Sequence, residues 1–352
     1  MLLSLLKDLM GSRKDERILQ EAREHIAASR NHEAISALTA LLERRPDSVE
    51  ALLMRGVAAR GADLGDQSLA DLTRAVELEP SSAPCLYELA HTIYAIGDHR
   101  RAHDLCARAR VVDPEFAPAR WLQAQIILGG QHYFKVLERI LAELRPRTYV
   151  EIGVFQGDSL ALVKPPACAI GIDPDPKLIA PLAENHKVFA DTSDDFFARH
   201  DLRLELGDRP VDLAFIDGMH HFEFALRDFA NLERYCTRQS TILIHDCYPL
   251  DRETAVRDDG PPSFWSGDIW RLIVLLKKYR SDLEVHVVGA PPTGLAVVRN
   301  LDPDSRFLIE NYEKLHDEFI QLDFSYLDHD KAGKLSLVKN EWENVRRLLT
   351  SS

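Results

Sequence analysis

Two short segments of the chain carry side chains that can move a proton and bind a cation. One reads FIDGMHH and places Asp217 three residues before His220, and the other reads LIHDC and places His245 beside Asp246. An imidazole titrates near pH ~6.5, so His220 can take a hydroxyl proton close to neutral pH. Carboxylates suit a hard cation such as Mg²⁺, whereas a histidine suits a softer divalent metal better. We expect His220 and Asp217 to be catalytic, and Asp217, His245 and Asp246 to bind a divalent cation.

Structural roles are the alternative for the same side chains. Asp246 would then cap the following loop and orient a histidine. His220 and His221 would only begin the next helix. Both interpretations place these residues at the carboxyl ends of predicted strands.

Each of the two segments follows an apolar run that predicts a buried strand. After residue 147 such runs alternate with helical patterns, which is typical of a doubly wound parallel sheet. The carboxyl ends of neighbouring parallel strands meet at the ligand crevice of such a sheet, so we expect Asp217, His220, His245 and Asp246 to converge. The predicted strands span residues 148–152, 169–173, 187–190, 211–217 and 241–245.

A third segment, which reads YVEIGVFQG, predicts a strand followed by a glycine loop. Gly153 and Gly157 let the backbone approach a ligand closely, and Phe155 stands between them. Glu151 would repel a pyrophosphate at this loop but would attract a cationic ligand. Asp173 ends the next predicted strand, where an acid can bind both hydroxyls of a ribose. The charge of Glu151 therefore disfavours a dinucleotide at this loop.

Two further strands are predicted at residues 284–288 and 295–298. The GAPPTG connection between them is too short for a crossover helix, so these strands must be antiparallel. A parallel sheet that closes in such a hairpin resembles the class I S-adenosylmethionine-dependent methyltransferases. The segment from Glu151 to Gly157 resembles their first motif, with Phe155 in place of the middle glycine. Residues 131–300 resemble the branch that includes cephalosporin hydroxylase-like proteins and metal-dependent O-methyltransferases acting on sugars.

This resemblance implies a Rossmann-like fold, a cofactor and a type of acceptor. The acceptor would be a hydroxyl of a sugar or specialised metabolite. A divalent cation, with Mg²⁺ as the leading candidate, would assist the reaction. Asp191 would lie near the adenine, although a helix N-cap ahead of Asp194 is its structural alternative. S-adenosyl-L-methionine would be bound by Glu151, Gly153, Phe155, Gly157, Asp173 and Asp191.

The N-terminal half of the chain shows a repeat. Pro46, Pro80 and Pro114 stand 34 residues apart, and small residues recur in the same register. This pattern resembles the tetratricopeptide repeat over about residues 15–130, and it predicts a helical solenoid of three helix pairs and a capping helix. Such a surface would bind a peptide, a carrier or a second subunit, or would serve only as a structural arm.

Composition limits the remaining possibilities. The chain has 352 residues and a formal charge of −13, which argues against a nucleic-acid partner. Its five cysteines show no CxxC spacing, so we expect a cytoplasmic protein. No run reaches the roughly 18 apolar residues of a membrane span. We predict an amphipathic helix at 1–14, repeats at 15–130, a methyltransferase domain at 131–303 and a helical tail at 304–352.

An O-methyltransferase is thus the leading functional hypothesis. The alternative is a non-catalytic or cofactor-sensing scaffold, in which the repeats bind a partner and the second domain has no turnover. A nicotinamide dehydrogenase fits poorly, because Glu151 and the terminal hairpin both speak against it.

Overall fold

The computed structural model describes residues 2–258, 260, 261 and 263–350, with side chains from residue 13 onward. The chain forms two compact units, Met1–Ile126 and Ile127–Ser352. No helix in the described part of the chain is both long and apolar enough to cross a membrane.

The first unit consists of helix pairs that follow the 34-residue period. Pro46, Pro80 and Pro114 lie just after the second helix of each pair, where a proline cannot continue the hydrogen-bond ladder. A Cβ at Gly56 would overlap the side chain of Leu72, so the helices of the middle pair cross closely. The predicted repeats are confirmed. The helices are α1 (Leu2–Ala27), α2 (Asn31–Leu42), α3 (Val49–Gly61), α4 (Gly65–Leu78), α5 (Ala83–Ala95), α6 (His99–Val112) and α7 (Ala117–Leu128).

The predicted helix at residues 1–14 belongs to α1, which continues without a break to Ala27. The amphipathic character expected of its first twelve residues lies outside the described side chains.

The second unit is built on one eight-stranded sheet. Its strand order is β3-β2-β1-β4-β5-β7-β6-β8. Strands β1 to β5 are parallel, and β7 runs antiparallel to both of its neighbours, β5 and β6. The predicted sheet with its terminal hairpin is confirmed. The strands are β1 (Thr148–Ile152), β2 (Cys168–Ile172), β3 (His186–Phe189), β4 (Leu213–Ile216), β5 (Thr241–His245), β6 (Glu284–Val288), β7 (Leu295–Arg299) and β8 (Leu337–Val338).

Side chains alternate between the two faces along each strand, and in this sheet both faces are apolar. Helices therefore cover both faces. Val150 and Ile152 of β1 belong to one buried cluster, and Tyr149 belongs to the other. The helices are α8 (Tyr133–Leu144), α9 (Ser193–Arg199), α10 (Leu202–Glu205), α11 (Phe222–Glu233), α12 (Trp270–Tyr279), α13 (Phe307–Glu310), α14 (Tyr312–Ile320), α15 (Lys331–Lys334) and α16 (Trp342–Thr350).

Three local features differ from the pattern of strands joined by helices. Only a 3₁₀ turn at Leu160–Leu162 connects β1 to β2, and no helix lies between β2 and β3. Pro174, Pro176 and Pro181 in the second connection prevent a regular helix there. The C-terminal segment adds β8, which pairs in parallel with β6.

Candidate active site

The glycine loop after β1 lies tightly against the ends of the neighbouring strands. Gly153 has φ +90°, and a Cβ on it would overlap the carbonyl oxygen of Asp217 at the end of β4. On the other side, the amides of Val154 and Phe155 donate to Oδ2 of Asp173 at 2.9 and 2.8 Å. The loop is therefore held between β2 and β4, with Asp173 as its anchor.

Phe155 occupies the position of the middle glycine and adopts a glycine-like backbone. Its φ of +45° is in the left-handed region, which costs a non-glycine residue about 1 kcal/mol. The residue remains 64% exposed. The replacement of this glycine therefore keeps the loop conformation and adds an apolar surface to the site.

A cavity of about 960 Å³ opens at this end of the sheet, near the upper limit for ligand pockets. That volume accommodates a cofactor together with an acceptor. The predicted site residues that line it are Gly153, Phe155, Asp173, Asp217 and His220. The others, which do not line it, are Glu151, Gly157, Asp191, His245 and Asp246.

Glu151 is fully buried behind the glycine loop. Its two carboxyl oxygens each accept a hydrogen bond of 2.6 Å, from the hydroxyls of Ser159 and Tyr149. Burial raises the pKa of Glu151 to about 8 against these two hydrogen bonds, and nearby Asp217 and Asp173 add to the rise. The structure thus places this acid as a support of the loop, instead of on the cavity wall where we expected it.

Asp191 also lies away from the cavity wall. Arg199 donates to its Oδ1 at 2.6 Å, and His200 lies 3.6 Å from its Oδ2. The N-cap of α9 is Thr192, whose hydroxyl accepts from the amide of Asp195 at 3.1 Å. The structural alternative for Asp191 as an N-cap is therefore wrong, and the carboxylate forms an ion pair instead.

The two acid–histidine segments converge as expected. Nδ1 of His245 lies 2.9 Å from Oδ1 of Asp217 and 3.2 Å from Oδ2 of Asp246. Nε2 of His220 lies 2.9 Å from the same Oδ2 of Asp246. Two aspartates and two histidines therefore form one hydrogen-bonded cluster at the ends of β4 and β5.

The contacts of His245 show that its ring carries two protons. Thr293 donates its only hydroxyl proton to Oδ1 of Asp246 at 2.7 Å, so it must accept from Nε2 of His245 at 3.2 Å. Nδ1 faces two carboxylate oxygens and must donate as well. Burial lowers the pKa of His245, but Asp217 and Asp246 outweigh it and raise the pKa to about 10. His245 is a buried cation that balances one of the two carboxylates.

His220 lines the cavity and is oriented by Asp246. Its Nε2 bonds to that carboxylate, and its Nδ1 is buried and has no hydrogen-bond partner among the described residues. Burial lowers the pKa of His220, but Asp246 and Asp217 outweigh this and the pKa is raised overall. The ring also packs against Trp265, with 4.8 Å between ring centroids.

Two family models match parts of the chain. Residues 150–247 match the family model described as a methyltransferase domain. Residues 19–83 match the model described as a tetratricopeptide repeat. The chain carries a methyltransferase domain preceded by tetratricopeptide repeats. No curated protein matches the chain.

Similar solved structures fall into the same two groups. MamA (41-end) from Desulfovibrio magneticus RS-1 is 17% identical with a TM-score of 0.30; the match covers 32% of this chain and 63% of that one. The first TPR of Spaghetti (RPAP3), bound to an HSP90 peptide, is 17% identical with a TM-score of 0.31. This match covers 33% of this chain and 91% of that one. The O-methyltransferase TomG from Streptomyces achromogenes, in complex with SAM, is 16% identical with a TM-score of 0.39. This match covers 48% of this chain and 80% of that one. At these TM-scores the similarities assign no function.

One set of ligand atoms in the methyltransferase domain fits a divalent cation. Side-chain ligand atoms of Asp217, His220 and Asp246 lie within 4.8 Å of one another. This set differs from the predicted one, because His220 takes the place of His245. Both ring nitrogens of His245 already have partners in the cluster, whereas His220 lines the cavity.

Sequence patterns did not reveal several residues of the site. Tyr133, the first residue of α8, stacks on the ring of His245 with 3.8 Å between centroids, and it lines the cavity. Thr293 reaches the cluster from the loop between β6 and β7. Asp228 on α11 lines the cavity although it is only 3% exposed. The predicted hairpin could have indicated Thr293, because a hairpin beside β5 brings its loop to the carboxyl end of that strand.

Proposed function

We propose that the protein is an S-adenosylmethionine-dependent O-methyltransferase that acts on a hydroxyl group of a sugar or specialised metabolite. The supporting observation is that one cavity is lined both by the glycine loop with Asp173 and by the proton-accepting pair Asp217 and His220. The match of residues 150–247 to a methyltransferase domain supports the same chemistry.

The cofactor half of the cavity extends from Gly153 to Asp173. S-adenosylmethionine supplies a methyl group that is already activated by the sulfonium, so the protein contributes mainly position and orientation. Asp173 anchors the loop with Oδ2, and its Oδ1 accepts from the amide of Asp175 at 2.8 Å, which leaves one lone pair of Oδ1 for a ribose hydroxyl. Glu151, one layer behind the loop, supports it through the hydrogen bonds from Ser159 and Tyr149.

The acceptor half contains the proton acceptor. Asp246 holds the Nε2–H tautomer of His220, which leaves the lone pair of Nδ1 available in the neutral ring. The acceptor oxygen forms its bond to the methyl carbon as the carbon–sulfur bond breaks, and its proton passes to Nδ1. A general base of this kind contributes about 10²- to 10⁴-fold in rate.

A divalent cation is compatible with the same cluster. Asp217, Asp246 and His220 would hold it, and it would supply positive charge that lowers the pKa of an acceptor hydroxyl. If Nε2 of His220 binds a metal, however, the proton of the neutral ring moves to Nδ1, and the ring can no longer act as the base. Binding of Mg²⁺ and catalysis by His220 are thus competing versions of the mechanism.

Methyl transfer from labelled S-adenosylmethionine to a panel of sugar and phenolic hydroxyls tests this proposal. We expect transfer to at least one acceptor, and a loss of about 100-fold or more in His220→Ala. His221→Ala is the matched control, because His221 bonds instead to the carbonyl oxygen of Arg257 at 3.1 Å. If His220→Ala stays within about twofold of the wild type, His220 is not the base.

The repeats extend the proposal to a protein partner, a carrier or a second copy of the chain. The match of residues 19–83 to the tetratricopeptide repeat supports this role. Tight cofactor binding without transfer to any acceptor would favour the alternative function, a cofactor-sensing scaffold. The proposal includes a cytoplasmic location, which is supported by five cysteines without a disulfide.

A further inference from the structure

Three large apolar side chains are exposed on the wall of the cavity. Phe155 is 64% exposed, Met219 57% and Trp265 36%, and all three line the cavity. Exposed apolar side chains that share one concave site usually mark a place where a ligand binds, because water solvates such a surface poorly. This apolar wall, defined by the three residues, therefore indicates the chemistry of the molecule that fills the cavity.

Phe155 is the residue of the apolar wall that the local fold does not require. Its amide donates to Asp173, and its carbonyl oxygen accepts from the amide of Lys177 at 2.8 Å, so backbone contacts alone hold it in place. A glycine would make both hydrogen bonds without the strain that φ +45° imposes on a side chain. The phenyl group adds strain and exposed apolar surface, and contact with a ligand is the gain that offsets both.

The other two residues of the apolar wall flank the proposed base. Met219 directly precedes His220, and the indole of Trp265 packs against the His220 ring with 4.8 Å between centroids. Gly260 permits this position of the indole, because a Cβ there would overlap Cγ of Trp265. Aromatic rings and methionine sulfur both pack favourably against another aromatic ring. An acceptor whose hydroxyl reaches His220 therefore meets surfaces that suit an aromatic ring.

The charges around the cavity disfavour an anionic acceptor. Arg257 is the one lysine or arginine among the described residues that line it, and its guanidinium lies 2.6 Å from Glu223 and 2.5 Å from Asp268. These two carboxylates outweigh the charge of the guanidinium. The acids that line the cavity are Asp158, Asp173, Asp217, Asp228 and Asp258. An uncharged acceptor therefore fits this cavity better than a sugar phosphate or a nucleotide sugar.

We propose that the acceptor is an uncharged phenol, and that Phe155 and Trp265 are specificity-determining residues that pack against its ring. This inference rests on the proposed function, because it requires S-adenosylmethionine in the same cavity. The phenolic oxygen bonds to the methyl carbon, the electron pair of the carbon–sulfur bond stays on sulfur, and the phenolic proton passes to His220. The products are an aryl methyl ether and S-adenosylhomocysteine. A sugar suits the apolar wall less well, because its ring hydroxyls lose water there and gain no partner.

Titration calorimetry of the full-length protein, saturated with S-adenosylhomocysteine, tests this inference with three probes. The first, 4-hydroxybenzamide, is an uncharged phenol. The second, 4-hydroxybenzoate, has nearly the same shape and a negative charge, and the third, methyl glucoside, is an uncharged sugar. We expect 4-hydroxybenzamide to bind at least about tenfold more tightly than either of the others.

Phe155→Gly separates recognition from folding, because glycine adopts φ +45° freely and keeps both backbone hydrogen bonds. It should weaken the binding of 4-hydroxybenzamide by about fivefold or more, and leave S-adenosylhomocysteine and methyl glucoside within about twofold of the wild type. Trp265→Ala should have the same selective effect. Leu204→Ala is the control, since Leu204 on α10 is 68% exposed but is not among the described residues that line the cavity. It should bind every ligand like the wild type.

The outcomes distinguish this inference from the proposed function. If 4-hydroxybenzoate or methyl glucoside binds as tightly as 4-hydroxybenzamide, or if the complex binds none of the probes, the inference fails alone. It also fails if Phe155→Gly weakens S-adenosylhomocysteine as much as 4-hydroxybenzamide, because the phenyl group then supports the cofactor. Unchanged binding of 4-hydroxybenzamide by Phe155→Gly would overturn it as well. If the wild type does not bind S-adenosylhomocysteine, the proposed function fails with it.

Discussion

Replacement of Glu151 by glutamine should change how the stability of the methyltransferase domain depends on pH. The pKa of Glu151 is raised from 4.5 to about 8 by burial, against the hydrogen bonds from Ser159 and Tyr149. Between these two pH values the unfolded chain has released the proton, whereas the folded domain retains it. A rise in pH over this range therefore favours unfolding. Below pH 4.5 Glu151 is protonated in both states and does not change the free energy of unfolding. Each pH unit is worth about 1.4 kcal/mol, so the loss reaches about 5 kcal/mol by pH 8.

Glutamine resembles the protonated acid and does not titrate. It keeps one acceptor oxygen and offers an amide donor, which the hydroxyl of Ser159 can accept. The free energy of unfolding of Glu151→Gln should therefore rise relative to wild type by about 1.4 kcal/mol per pH unit between pH 5 and 8.

Urea unfolding of the cofactor-free protein, followed by tryptophan fluorescence, measures this difference. Three of the four tryptophans lie in the second unit, and Trp121→Phe removes the remaining one, so the signal then reports on the methyltransferase domain. Glu184→Gln, the same exchange at an exposed carboxylate, is the control and should follow the wild type. If Glu151→Gln and wild type show the same pH dependence, Glu151 is ionised in the folded domain and the reasoning is refuted.

Three other perturbations give distinct results. Gly153→Ala should destabilise the domain by about 3 kcal/mol in urea unfolding, because its Cβ overlaps the carbonyl of Asp217. Gly207→Ala, also at positive φ but with no atom near its Cβ, should cost only about 1 kcal/mol, and equal losses would contradict the overlap. His245→Asn removes a buried cation beside Asp217 and Asp246, so calorimetry should show that Mg²⁺ binds at least about tenfold more tightly. An unchanged Mg²⁺ affinity would contradict the positive charge assigned to His245. The rate of methyl transfer should increase with pH through a midpoint above 6.5. Burial lowers the pKa of His220, but the opposing effect of Asp246 and Asp217 is larger, so the pKa is raised overall. A decrease in rate from about pH 6 to 8 would exclude neutral His220 as the base.

The sheet could be predicted because its strands are apolar runs with sharp ends. Strands β1, β5 and β6 begin and end where the sequence pattern placed them. The short GAPPTG connection required the antiparallel hairpin, and the structure has it. Strand β8, with two residues, is too short to show a pattern, and its pairing with β6 depends on how the C-terminal segment folds back.

The convergence of the cluster could be predicted, but its hydrogen bonds could not. Strand ends placed Asp217 and His245 at one edge of the sheet, since neighbouring parallel strands end together. Which histidine lines the cavity depends on side-chain directions beyond the strand ends. Thr293 decides the protons on His245, and the spacing of the acid–histidine motif contains no signal for it.

Side-chain alternation could have corrected one expectation. Glu151 and Tyr149 are two residues apart in β1 and must point to the same face, where they bond to each other at 2.6 Å. By contrast, Asp228 lies on one turn of an amphipathic helix, where an acid is usually solvated. Its burial follows only from the packing of α11 near α9, which the sequence does not reveal.

Binding of S-adenosylhomocysteine to the full-length protein tests the central claim most directly. Calorimetric titration should show binding by the wild type and a loss of about tenfold or more in Asp173→Asn, because this carboxylate anchors the glycine loop and lines the proposed cofactor cavity. Asp175→Asn, at an acid two residues away that does not line the cavity, should bind like the wild type. No binding by the wild type, or equal binding by both variants, would contradict a cofactor site at Asp173.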